Sequence, residues 1–175
     1  DCVIPEGRQE ICDVLFNDNG KLRFRWGYVS GLQVDPIEKK PLFHFHPGSY
    51  AYSISTVGCN LRCSYCQNWQ ISQWPKDHLP KKLDKAEDGS PEPICPQLEA
   101  MDAEVPGEPI TPAEIVRAAK QTGCLSISYT FTEPTIFYEL AYDTAVLAKE
   151  QRLKNSFVSN GFIGEAALRE IAPLL

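Results

Sequence analysis

Three cysteines fall within eight residues, Cys59-Asn-Leu-Arg-Cys63-Ser-Tyr-Cys66, in the spacing C-x3-C-x2-C. Thiolates are soft ligands and select zinc, copper(I) or iron–sulfur clusters. Structural zinc takes four ligands, commonly as two separated pairs. Three thiolates in one loop with no neighbouring fourth suit a cubane cluster that leaves one iron open to a substrate or cofactor. From spacing alone, zinc and a chance grouping stay as alternatives. The other cysteines carry less. Cys2 and Cys12 sit among turn residues, while Cys95 and Cys124 read as incidental or buried thiols. His44 and His46 alternate along a segment read as extended and would share one face, but two histidines without a third ligand are more often structural. Arg62 and Lys120 read as surface charges, and Trp69 and Trp74 as packing that keeps water from the cysteine loop.

The elements around this loop are legible. Gly48-Ser-Tyr-Ala-Tyr-Ser-Ile-Ser-Thr-Val57 is rich in β-branched and aromatic residues, so it predicts a buried strand leading straight into the cysteines. Upstream, residues 1–46 predict a small β-rich N-terminal segment. Within it Asn17-Asp-Asn-Gly20 is a turn between Val14-Leu-Phe16 and the alternating run Leu22-Arg-Phe-Arg-Trp26. Downstream, Thr111-Pro-Ala-Glu114 is a capping box with proline at the first helical position, and Gly123 ends that helix. Leu125–Tyr129 and Asn155–Ser159 predict strands, Ile136 to Leu147 and 165–171 further helices. Strand and helix alternating through short loops give βα units on a parallel sheet, with right-handed crossovers. The expected fold is therefore α/β, with about three βα units over 47–175. A closed barrel of eight such units needs about 250 residues, so these would form part of one.

Residues 76–109 differ in composition. Nine acidic and four basic residues place −5 of the chain's net −6 here, together with six of its 14 prolines. Such a stretch buries too little apolar surface to offset its ordering entropy, so it predicts a flexible insertion. The rest of the 175-residue chain has the 43% hydrophobic, 23% charged balance of a globular domain. Its acidity argues against generic nucleic-acid binding, and no run of 18 apolar residues predicts a membrane span. Seven cysteines, an odd number, fit a fully paired disulfide scaffold poorly. The start at Asp1, the single Met101 and a helical run reaching Leu175 suggest a piece of a longer protein. Three βα units would leave an unpaired parallel edge, so the piece is expected to be poorly stable alone or completed by another chain.

Taken together, the motifs resemble the radical S-adenosylmethionine (radical SAM) superfamily. Its signature is C-x3-C-x2-C with an aromatic residue before the last cysteine, here Tyr65. The closer resemblance is to the branch of glycyl-radical-enzyme activating proteins and to the AmmeMemoRadiSam-system radical SAM enzymes. It rests on Asp35-Pro-Ile-Glu-Lys-Lys-Pro-Leu-Phe-His44, Gly58 to Trp69 with Ile71-Ser72, Tyr129-Thr-Phe-Thr-Glu-Pro-Thr135 and Val158-Ser-Asn-Gly161. The resemblance implies a partial radical SAM barrel in which Cys59, Cys63 and Cys66 ligate a [4Fe–4S] cluster. S-adenosylmethionine would chelate the fourth iron. Reductive cleavage would then release a 5′-deoxyadenosyl radical that abstracts hydrogen from a substrate, a protein or a small molecule, that the sequence does not name. Tyr65 would lie near the adenine, with ordinary loop packing as the alternative. Glu133 would help hold the cofactor's amino group, although the family's Gly-Gly-Glu turn is replaced by Thr130-Phe-Thr-Glu133; the alternative is an acid capping the helix after Pro134. Ser159 and Asn160 would meet the ribose or methionine part, or simply form an Asn-Gly turn. Cys2 and Cys12 resemble the later half of a further cysteine element found at the amino end of related proteins. An oxidoreductase of this type needs an external one-electron donor of flavodoxin or ferredoxin type and a reducing, cytoplasmic compartment. Activation of a glycyl-radical protein is one alternative function. A non-catalytic zinc or iron–sulfur binding domain is another.

Overall fold

The computed structural model describes residues 14–24, 28–78 and 106–175. Strands β1 (Leu15–Asp18) and β2 (Lys21–Phe24) form the predicted hairpin. Both turn residues have positive φ, +50° at Asn19 and +78° at Gly20, which asparagine and glycine tolerate best. The Asn17 side chain closes the turn by accepting the Gly20 amide at 2.8 Å.

The main sheet has five strands in the order β5-β3-β4-β6-β7. Strands β4 (Tyr50–Thr56), β6 (Ser126–Tyr129) and β7 (Lys154–Phe157) run parallel. To them β3 (Tyr28–Pro36) and the short β5 (Glu108–Pro109) add antiparallel pairs. No strand was predicted at β3, so the sheet draws on both the N-terminal segment and the βα region. Of the stretch expected as an insertion, residues 76–78 finish a helix and Glu108–Pro109 form β5, while 79–105 lie outside the described residues.

Helices follow as α1 (Trp69–Ser72), α2 (Trp74–His78), α3 (Pro112–Gln121), α4 (Tyr138–Glu150) and α5 (Glu165–Ile171). The capping box of α3 forms in both directions: Thr111 Oγ1 accepts the Glu114 amide, and Glu114 accepts the Thr111 amide at 2.9 Å. Gly123, at φ +71°, turns the chain out of α3 toward β6.

Strand alternation sorts the sheet into two unlike faces. Tyr52, Ile54, Ile127 and Tyr129 pack under Ile115, Val116 and Ala119 of α3 and Ala141, Ala145 and Ala148 of α4. The alanine stripe on α4 presents little bulk, so that helix can lie close on the strands. On the opposite face Gln33, Ser53, Ser128 and Ser156 are register partners in a row across four strands. The Ser128 and Ser156 hydroxyls hydrogen-bond at 2.6 Å. Small polar side chains leave room above this face, and the candidate site lies on it.

Two sequence readings are corrected. Residues 41–48 form successive turns and bends rather than an extended segment; His46 has φ +49° and both His44 and His46 are exposed, so they share no strand face. Trp69 is more than half exposed, whereas Trp74 packs against the core.

Candidate functional site

The cysteine loop leaves β4 at Gly58, whose amide donates to the Ile71 carbonyl at 2.9 Å, so α1 closes the loop at its base. The side chain of Gln73 reaches back to donate to the Leu61 carbonyl at 3.0 Å, and Lys76 adds a second donor to the same oxygen at 3.2 Å. Arg62 is the surface charge the sequence suggests, and its guanidinium donates to Gln73 at 3.2 Å and pairs with Asp77 at 2.9 Å, holding the loop against α2. Cys59 and Cys66 are half-buried and Cys63 is exposed; all three are free thiols. Cys66 Sγ lies 3.4 Å from Ser72 Oγ. Tyr65 projects from the loop, 85% exposed. Cys124 is buried, while Cys2, Cys12 and Cys95 lie outside the described residues.

Glu133 follows β6 at the carboxyl end of the parallel strands, where loop residues of α/β sheets converge on ligands. It is 3% exposed, and its carboxylate is held by three donors. Oε1 accepts from Ser159 Oγ at 2.8 Å and the Thr135 amide at 3.2 Å, and Oε2 accepts from the Asn160 amide at 2.7 Å. The bond to Thr135 caps the 3-10 turn Pro134–Phe137, so the capping role is real. A carboxylate offers about four acceptor positions, and one stays open after these three. Ser159 and Asn160 lie just past β7 and are brought to Glu133 itself.

Two long-range bonds join the cysteine loop to these strand ends. Asn160 Nδ2 donates to Asn60 Oδ1, between Cys59 and Cys63, at 2.9 Å. Asn68 Nδ2 donates to the Phe131 carbonyl at 3.0 Å. Phe131 has φ +64°, a strained value for a bulky residue. Thr132 beside it anchors the turn by donating to the Thr56 carbonyl at 2.9 Å. The sequence reading assigned no role to Asn60, Asn68 or Phe131. Their types are ordinary for loops, and only the fold brings them together.

A third group comes from the motif Asp35-Pro-Ile-Glu-Lys-Lys40. Asp35 Oδ1 accepts from Lys39 at 2.8 Å, and Oδ2 from Lys40 at 2.7 Å and Ser53 Oγ at 2.8 Å. Burial pushes the Asp35 carboxyl up, but the hydrogen bonds from Lys39, Lys40 and Ser53 overcome it and hold the pKa at about 2. Lys40 is itself buried, its ammonium 4.5 Å from the centre of the Phe131 ring.

A family model for the radical SAM superfamily matches residues 53–175, well over half of the chain. The chain belongs to the radical SAM superfamily. It is also 40% identical over 171 residues to an uncharacterized protein of Methanocaldococcus jannaschii. That match takes in 97% of this chain and 44% of the relative, so the chain spans less than half of the relative's length. By family, an iron–sulfur cluster and S-adenosylmethionine are the expected cofactors. The donor set suits a cluster: three reduced thiols on one loop, clamped by its own helices. Among the described residues no three His, Cys, Asp or Glu side chains, the three cysteines included, are gathered as around a single metal ion. No helix among the described residues is long and apolar enough to cross a membrane.

Proposed function

We propose that this chain is the cluster- and cofactor-binding part of a radical SAM enzyme that abstracts hydrogen from its substrate. The observation that carries the reading is the tie between the cysteine loop and the strand ends, through Asn60–Asn160 and Asn68–Phe131. A purely structural metal site has no need of side chains gathered from the carboxyl ends of parallel strands. When bound, a [4Fe–4S] cluster with S-adenosylmethionine supplies one-electron cleavage of a carbon–sulfur bond and a 5′-deoxyadenosyl radical.

The chain's own residues do the rest. Cys59, Cys63 and Cys66 would each give one thiolate, leaving one iron for the cofactor. Glu133 would use its open acceptor position for the cofactor's ammonium group, a charge-assisted bond in a water-poor setting. Ser159 and Asn160 hold that carboxylate in place, so they act as positioning residues for it, and Asn160 also fixes the loop through Asn60. Tyr65, exposed beside Cys66, is free to lie against the adenine. Cys63, the most open thiol, marks the side from which a flavodoxin- or ferredoxin-type donor would deliver its electron, in a reducing compartment. These strands and helices would form the first part of a (β/α) barrel.

The test is anaerobic reconstitution of the full chain with iron and sulfide, followed by reduction and EPR with and without S-adenosylmethionine. The expected result is a reduced [4Fe–4S] signal that changes when the cofactor is added. In Glu133→Gln the cluster should assemble, with cofactor affinity reduced roughly tenfold for loss of one charge-assisted bond. Zinc bound by the three cysteines, or a cluster whose signal ignores the cofactor, would overturn the proposal and leave a non-catalytic metal domain.

A further inference from the structure

Beside the cysteine loop the polar face of the sheet opens into a cleft of about 540 Å³. Gln33, Lys39, Lys40, Gln67, Asn68 and Phe131 are among its walls. Its floor is built with care for shape. Phe131 is held at positive φ while Asn68 fixes its carbonyl, and its ring lies over Gly31. A Cβ at Gly31 would sit 3.0 Å from the ring and 2.6 Å from Ser55 Oγ, so glycine is what lets the ring seat there.

The cleft is also positively charged in an acidic chain. Lys39 and Lys40 share one carboxylate, so the three groups carry a net +1, against −6 for the whole sequence. Each ammonium has three N–H donors, and each gives one to Asp35. The Lys40 side chain is only 4% exposed, so its remaining charge is little screened by water, while Lys39, at 57%, is free to reorient toward a ligand. Among the described residues the side-chain amides of Gln33 and Gln67 spend no hydrogen bond elsewhere. Charge, spare donors and an aromatic floor thus meet in one recess next to the cysteines.

We infer that this cleft holds the anionic end of the hydrogen donor, a carboxylate or phosphate set against Lys39 and Lys40, with the adjoining apolar part on the Phe131 ring. The assignment of the ligand as hydrogen donor rests on the radical reading above; the anion site itself does not. One other carboxylate competes for the same chemistry, that of S-adenosylmethionine, and the experiment separates the two.

The full chain is titrated anaerobically by calorimetry with inorganic pyrophosphate and with tricarballylate, before and after cluster reconstitution, and with and without saturating S-adenosylmethionine. Expected is saturable one-to-one binding that persists with the cofactor present. Lys39→Gln should weaken it by about fivefold to tenfold. Lys39→Arg should restore it, and Lys120→Gln, on the far side of α3, should leave it unchanged. Lys39 is exposed and its loss leaves the buried Asp35–Lys40 pair intact, so the variant should fold. No saturable binding up to ~10 mM, or equal binding by Lys39→Gln, would overturn the site. Competition with S-adenosylmethionine would overturn the donor assignment and give the lysines to the cofactor. Pyrophosphate binding in a chain whose EPR signal ignores the cofactor sinks the radical reading and leaves the anion site standing. A responsive signal without anion binding does the reverse.

Discussion

Asp35 is buried yet charged, because each of its oxygens meets a lysine ammonium and one also meets a serine hydroxyl. Its pKa of about 2 in the fold lies below the ordinary 3.8. Between those values the unfolded chain binds more protons than the folded one, so stability from this group is complete above about pH 4 and lost as pH falls toward 2. Urea midpoints measured down that range should fall, and Asp35→Asn should flatten that limb. The same variant strands a buried Lys40 ammonium, which costs roughly 3–5 kcal/mol at neutral pH; an unchanged midpoint there would refute the ion-pair account. The residues named from sequence, the three cysteines, Glu133, Ser159 and Asn160, do lie on neighbouring loops. What the sequence could not carry is who holds whom. Ser159 and Asn160 read from sequence as cofactor contacts or as an Asn-Gly turn, and the fold adds that they hydrogen-bond the Glu133 carboxylate. Such partnerships span dozens of residues, and local spacing holds no record of them.

Helix α3 shows local chemistry at its most readable, since Thr111, Pro112, Glu114 and Gly123 each do at one end or the other what their types favour. Thr111→Ala removes the side-chain acceptor of the Glu114 amide and should cost about 1 kcal/mol. A lower urea midpoint with an unchanged slope would express that loss, whereas no change in midpoint would mean the cap is idle. Strand β3 is the opposite case. Leu32, Gln33, Val34 and Asp35 do alternate, but Gly31 and Pro36 bound the run like turn residues, and a register shift at Val29–Gly31 breaks its period. Within that run Leu32 and Val34 are exposed while the carboxylate Asp35 is buried, so the usual sign of burial is reversed there. The polar face of β4 and β6 was equally hard to interpret. Alternating Ser53, Ser55, Ser126 and Ser128 look like weak strand signals until the register sets them in rows.

At the scale of the whole chain, the parallel order of β4, β6 and β7 followed from strands and helices alternating with short loops, whereas the antiparallel strands at the other edge did not. The resulting sheet makes a prediction about its own dynamics. Strands β4 and β6 are bonded on both sides, while among the described residues β5 and β7 each have one neighbour. Amide hydrogen exchange followed by mass spectrometry should find the slowest amides in 50–56 and 126–129, and faster exchange in β5 and β7. Equal protection in β7 would mean that its other edge is covered.

The bond between Asn60 and Asn160 spans 100 residues of sequence. At ordinary rates of synthesis, about 5–20 residues per second, the cysteines leave the ribosome roughly 5–20 s before the residue that fastens their loop exists. During that interval Cys59, Cys63 and Cys66 are nascent thiols on an untied segment, and whatever metal or oxidant reaches them first meets them without the rest of the site. The loop is thus finished by a part of the chain made long after it.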